Sequence, residues 1–533
     1  MSRSVDAVVI GAGPNGLVAA NILADEGWDV LVLEASDRPG GSVRSEELTA
    51  PGFGTDLCSA FYPLAAGSPV IRELELEQYG LKWRHAPDVL AHILPDDRVA
   101  VLSRDVERTA KSVSAFADGD ADAWRDEAAL WDRIGEPLLD SLLRPFPPVR
   151  GAASLLRETG AGEALRLLRR FLLPARRFGV ETFAGDGARA LLAGNALHSD
   201  LGPDDAASGV FGWLLSMLGQ SVGFPVPEGG ASAVTDALVS RLTDRGGVVE
   251  CSSEVAEIVV QDGRGTAVRD VGGEETTARR AILADVPAPQ LYERLIGREL
   301  LPSSLIRDLH RFEWDDGTVK VDWALSQPIP WTNPEASGAG TVHLGADVNG
   351  LATFRTHIRN GKLPDTPFML LGQMTTADPS RSPSGTESVW AYTHVPRSIR
   401  WDRQSVEEFG DRMQATIEKH APGFGSCVIA RAVQSPGDLE QHNAALVGGA
   451  INQGTTAVHQ ELFFRPTPGL GRADTPIDRV FLAGASAHPG GAVHGAPGAN
   501  AARAALRRSG HGGMVYRSAI RLLQNRLARD GRN

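Results

Sequence analysis

VDAVVIGAGPNGLVAANILADEGWDVLVLEA, Val5 to Ala35, decides how the rest of the chain is read. It has the pattern of an apolar strand, a glycine turn, a helix with small and apolar residues on one face, and a second apolar strand from Val30. Gly11, Gly13 and Gly16 fit GxGxxG in the strand, turn and helix setting the fingerprint requires, with Pro14 inside the turn. The first glycine makes the turn, the second admits a pyrophosphate, and the third lets the helix pack against the strand. The helix N-terminus then offers free N–H groups and a positive dipole end to phosphates. Glu34, eighteen residues after Gly16 and followed by Ala35, ends the second strand where a carboxylate accepts hydrogen bonds from a ribose diol. The expectation is an α/β, Rossmann-like dinucleotide site, NAD and FAD being equally compatible with this stretch.

At 533 residues the chain exceeds the size at which one hydrophobic core stops growing, so two or more units are expected. With 42% hydrophobic and 22% charged residues it has globular composition. A formal charge of -13 argues against a general nucleic-acid binder. Cys58, Cys251 and Cys427 are far apart and form no CxxC pair, which fits a reducing, cytoplasmic setting. Strand-like sequence from Val5 leaves no room for an apolar leader. The longest apolar runs, such as VFGWLLSMLG at 210–219, fall short of the roughly 20 residues that span a bilayer. Peripheral membrane contact stays open. No period of 20 to 50 residues recurs.

Asp37-Arg38-Pro39-Gly40-Gly41 follows Glu34 closely, and Arg44 comes three residues after the glycine pair. Here the sequence resembles the FAD-binding superfamily of flavin amine oxidases and phytoene desaturases, in which a GG turn and a nearby arginine follow the ribose-binding acid. That family often has arginine directly after GG, whereas this chain has Ser42-Val43-Arg44. The resemblance implies FAD, with Gly40, Gly41 and Arg44 at the cofactor. PEGG at 227–230, a helical pattern and the strand-like run beyond it look like the second FAD segment of the phytoene desaturase group. By that resemblance the backbone of Val255 contacts the adenine end. Near the C-terminus FLAGASAHPGGAVHGAPG, 481–498, looks like the segment that closes over the flavin ring, which implicates Gly484, Ala485, Gly490, Gly491, Gly495 and Pro497. Main-chain donors there stabilise charge on reduced flavin.

The resemblance divides the chain into a discontinuous FAD-binding domain (1–75, 223–289 and 470–510), a discontinuous α+β substrate domain (76–222 and 290–469) and a basic amphipathic tail (511–533). In the substrate domain TVKVDWALSQPIPW is similar to the strand of monoamine oxidases that carries a lysine near the flavin, making Lys320 a catalytic candidate; a solvated strand lysine is the alternative. His488 is either a proton donor near the flavin or a turn-stabilising histidine. His488 and His494 have no acidic or cysteine neighbour to complete a metal site, so none is expected. Residues 155–178 carry six arginines among leucines and phenylalanines, which suits either a water-facing amphipathic helix or an interfacial one.

The implied activity is that of an FAD-dependent, phytoene dehydrogenase-like oxidoreductase. It moves a hydride from a carbon of an apolar or amphipathic substrate to flavin N5 and passes the electrons to oxygen, a quinone or another acceptor, since no second GxGxxG offers an NAD(P)H site. Three alternatives stay open. They are a flavin amine oxidase with an aromatic cage drawn from Trp323, Trp390 and Tyr392, a carotenoid-type isomerase using reduced FAD, and an FAD-binding interaction protein without catalysis.

Overall fold

In the computed structural model, residues 3–469 and 471–528 are described; residue 470 and residues 529–533, which belong to the expected third FAD segment and the tail, lie outside them. The strand Arg3–Ile10 pairs in parallel with Val30–Leu33 on one side and with Glu275–Ala284 on the other. Val248–Glu250 extends one edge, and Val480–Leu482 pairs in parallel with Glu275–Ala284. An antiparallel pair, Val255–Gln261 and Arg264–Asp270, completes this seven-stranded sheet. The segments 7–10, 30–33 and 281–284 are buried on both faces and read as continuous apolar runs for that reason.

Three helices cover one face of the sheet: Pro14–Asp25, Ser232–Asp244 and Ala496–Ser509. The first and last pack very closely, because a Cβ on Gly498 would lie 1.9 Å from the Asn15 carbonyl oxygen. Alanines 499, 501, 502 and 505 line the same contact, fully buried. The alanine-rich composition of the last helix is therefore a packing requirement of its backbone approach to the first.

A second seven-stranded sheet is built around Gly317–Leu325, Glu387–Val395, Met369–Gln373 and Ala339–Leu344, mostly antiparallel, with Asp88–Ile93 joining in parallel. Helices Asp120–Leu143, Val149–Phe171, Asp186–Ala196 and Ser208–Ser221 form a layer beside it. Val149–Phe171 is kinked at Gly160, whose φ of 72° and ψ of 164° lie in a region open to glycine. Pro174 precedes a separate helix, Ala175–Thr182. The chain crosses between the two sheets four times, so the space between them is walled by segments from most of its length.

Candidate functional site

A cavity of about 530 Å³ runs between the sheets, within the size range of small-molecule and cofactor sites. Its dinucleotide end is built where two neighbouring parallel strands finish together. Ile10 is paired with Ala284, so Gly11 and Asp285 leave the sheet side by side. Gly11 has φ of 92°, and a Cβ on it would come within 2.8 Å of the Asp285 carbonyl oxygen. A Cβ on Gly16 would meet the Gly11 carbonyl oxygen at 2.2 Å. The first and third glycines are thus demanded by the protein's own backbone. The second is different: a Cβ on Gly13 would lie 2.6 Å from Asp285 Oδ2. At this turn the chain itself supplies a carboxyl, which the sequence reading reserved for a pyrophosphate alone.

Glu34 lines the cavity with its carboxylate fixed by two backbone donors, Ala12 N–H at 2.7 Å and Ser36 N–H at 2.9 Å. Pro14, Ala35, Gly41, Val255, Ala485 and Gly491 line it as well. Gly40 lies just behind, its N–H bonded to the Ala12 carbonyl oxygen at 2.9 Å. Gly484 fits under the sheet edge, where a Cβ would strike Val286 backbone, and Gly495 precedes the Ala496–Ser509 helix in which Pro497 occupies the first turn. The Gly490 Cβ position faces the buried Arg465. Arg465 donates to the carbonyl oxygens of Ala485 and Thr455 and pairs with Glu461 at 2.8 Å, tying the glycine-rich segment to the loop that carries Asn452 and Gln453.

Other expected residues stand outside the cavity wall. Arg44 is buried beside Glu46, 3.4 Å away, with its Nε unpartnered, and does not line the cavity. PEGG is a structural turn: Ala231 N–H is held by Asp56 and Gly229 N–H by Asp378. His488 donates its Nε2–H to the Arg144 carbonyl oxygen, 3.0 Å away, and packs edge-on against Phe146. It does not line the cavity. Lys320 is buried and does not line the cavity; its ammonium pairs with the Asp322 carboxylate. Register explains this: residues two apart on a strand share a face.

Beyond the glycine turn the wall turns apolar. Phe211, Leu214, Leu215 and Leu218 from one helix face Phe61, Trp390 and Tyr392. Trp390 and Tyr392 stack at 5.9 Å and 18°. Trp323 is elsewhere, in the core against Phe424 and bonded to Gln414, so the expected cage keeps two of its three members. His198 also lines this end, its Nε2 2.8 Å from His343 Nε2. Burial pushes the His198 imidazole down to about 3, and that of His343 well below the ordinary value, so both rings are neutral.

The residues present fit FAD. Gly11, Gly13, the N-terminus of the Pro14–Asp25 helix and Glu34 come together at one end of the cavity, as a dinucleotide requires. Residues 15–506 match the model of the flavin-containing amine oxidoreductase family. The chain belongs to that family. As a flavin-containing amine oxidoreductase relative it is an FAD-dependent oxidoreductase with a Rossmann-like FAD-binding fold. It is 30% identical to rat (Rattus norvegicus) pyridine nucleotide-disulfide oxidoreductase domain-containing protein 2, over 94% of this chain and 93% of that protein. It is 24% identical to a neurosporene-forming phytoene desaturase of Rhodobacter capsulatus, over 91% of each. An oxidoreductase structure from Methanosarcina mazei shares the fold with a TM-score of 0.62 at 15% identity, over 94% of this chain and 99% of that one.

For this family member, sequence reasoning missed Asp285, His198 and the amides Asn443, Asn452 and Gln453. Asp285 carried a readable signal: a carboxylate directly after an apolar strand that pairs with the glycine-motif strand sits at the switch point where ligands bind. His198 had none, because it reaches the cavity only through helix packing.

Proposed function

We propose that this chain dehydrogenates a lipophilic or amphipathic substrate at carbon, with FAD, when bound, supplying the two-electron acceptor. The observation that carries this is the continuity of one cavity from the glycine turn to the apolar wall of Phe211, Leu214, Leu215, Phe61 and Trp390. Such a wall holds its ligand by area and excludes water. The phytoene desaturase among the relatives is named for a hydrocarbon substrate, which suits the same wall. Oxygen or a quinone is the terminal acceptor in this reading.

An anaerobic screen of polyenes, monoterpenes and amines decides it. Bleaching of the visible flavin band by a hydrocarbon, with a product two hydrogens lighter, is the expected result. The stacked Trp390–Tyr392 pair favours one second reading, amine oxidation, which predicts bleaching by amines and peroxide on reoxidation. Against it, the cavity carboxyls Glu34, Glu254 and Asp285 all belong to the dinucleotide end and leave no anion for an ammonium at the aromatic end. A product of unchanged mass would mean isomerisation, and no bleaching by any compound would point to a non-catalytic role.

The proposal extends to a cytoplasmic protein that touches membranes peripherally. No helix among the described residues is long and apolar enough to cross a bilayer. The helix Val149–Phe171, which packs on the cavity-lining helix Ser208–Ser221, exposes Leu156, Leu165 and Leu168 to solvent. Arg169 and Arg170 are paired with Glu181 and Glu127, so the exposed leucines, more than net charge, would drive the contact.

A further inference from the structure

The glycine turn holds a group that a diphosphate site does not by itself require. Asp285 places Oδ2 2.8 Å from Gly16 N and accepts its hydrogen bond. That N–H belongs to the first turn of the Pro14–Asp25 helix, the end whose dipole and free donors suit an anion. The same oxygen packs 2.6 Å from where a Gly13 Cβ would be, against the glycine whose openness lets a diphosphate approach. The other oxygen, Oδ1, makes no hydrogen bond among the described residues, and Asp285 lines the cavity.

The charges around it offer no compensation. Glu34 follows the strand Val30–Leu33, on the far side of Arg3–Ile10, and its charge repels Asp285; Glu254 and Arg294, on the same cavity wall, face each other at 3.7 Å. No cation among the described residues pairs with Asp285. An ionised Asp285 would meet the two negative charges of a diphosphate in an enclosed space, where repulsion is several-fold stronger than in water. A carboxylic acid would instead donate from Oδ1 and still accept the Gly16 N–H at Oδ2.

We propose that FAD binding to this chain is coupled to the uptake of one solvent proton by Asp285, which then faces the diphosphate as a hydrogen-bond donor. This rests on the cavity being the FAD site. The one bond formed is the O–H at Asp285. Burial, opposed by the Gly16 N–H and reinforced by the Glu34 charge, already pushes the free carboxyl up to about 7. A diphosphate acts in the same direction. The sign follows: below that value the proton is in place and affinity is flat, while above it the dissociation constant climbs toward tenfold per pH unit. Affinity for FAD is lost in alkali and kept at neutral pH and below.

The test is titration of FAD into apoprotein between about pH 6 and pH 9, where neither the diphosphate nor the flavin ring titrates, followed by flavin fluorescence. Calorimetry in buffers of different ionisation enthalpy counts protons. Wild type should show the alkaline rise in Kd with close to one proton taken up. Asp285→Asn, which can still accept from Gly16 and donate, should bind with a flat pH profile and no proton uptake. Glu34→Gln should move the break to lower pH. A flat wild-type profile without proton uptake, or an Asp285→Asn variant that keeps the wild-type slope, overturns the proposal. Should that variant not fold, Asp285→Ser and the wild-type proton count decide the matter. Failure of wild type to take FAD at any pH removes the cavity reading and the proposal with it.

Discussion

Lys320 and Asp322 stand two residues apart on one face of a buried strand, and Gln434 completes the contact by donating to Asp322 at 3.1 Å. Removing one charge from such a pair leaves the other buried alone, so Lys320→Met should cost about 3–5 kcal/mol. Lys320→Met with Asp322→Asn should recover most of it; urea unfolding of the three variants measures both. If flavin reduction and reoxidation keep their wild-type rates in the folded single variant, Lys320 has no part in the chemistry. His488→Asn should cost about 1 kcal/mol through the lost Arg144 contact and leave flavin content unchanged, as a release and absorbance assay would record. Gly13→Val places bulk against the Asp285 carboxyl and should abolish FAD retention in a protein whose circular dichroism is intact. The motif spelled out Gly11, Gly13, Gly16 and Glu34 because their spacing along one strand, turn and helix is local, although Asp285 is what presses on the first two glycines. The roles of Lys320, Arg44 and His488 depend on what lies across from them, which a one-dimensional pattern does not carry.

Among elements, the Ala496–Ser509 helix is the most constrained. Gly498→Ala would set a methyl 1.9 Å from the Asn15 carbonyl oxygen, so the helix must shift from the glycine-motif helix. The expected outcome is a loss of about 3 kcal/mol or more, read from the denaturation midpoint, with FAD content falling in parallel. The strand Gly317–Leu325 and a helix within 155–178 were legible from the sequence. The break falls at Gly160 and the helix stops before Pro174, where glycine's freedom and proline's missing N–H interrupt it. Which face of Val149–Phe171 meets water was not legible, since its leucines and arginines alternate around the helix. Leu165→Glu with Leu168→Glu should leave folding intact and remove retention by liposomes in a flotation assay. Retention equal to wild type would exclude this helix as the membrane contact.

At the scale of the molecule, buried titratable groups set the acid limit. His92, His488 and His494 are pushed down to about 4 and His198 to about 3, chiefly by burial, so the folded chain keeps them neutral while the unfolded chain protonates them near 6.5. Their contribution is present above about pH 6.5 and is lost as pH falls toward 4. Asp285, Asp315 and Glu461, raised to about 7, act oppositely and take back part of that slope. His85, His343 and His394 are depressed as well, but burial also raises Asp236, Asp316, Asp322, Glu387 and Asp474, so the two sets oppose each other nearly group for group and urea midpoints should change little from about pH 4.5 to about 6.5. A midpoint that moves strongly in either direction over that interval would contradict this balance. The sequence by itself determined the Rossmann-like dinucleotide half, while FAD and the α+β class of the remainder came from its resemblance to the flavin amine oxidases and phytoene desaturases. Glycine spacing, strand apolarity and a terminal carboxylate are local properties that folding must satisfy in one way. Only the tertiary structure decided what fills the glycine turn, which titratable groups reach the cavity and where its apolar wall lies. Asp285 meets Gly16 across 269 positions of chain and His198 meets His343 across 145, contacts made by the pairing of parallel strands and the packing of separate helices and sheets.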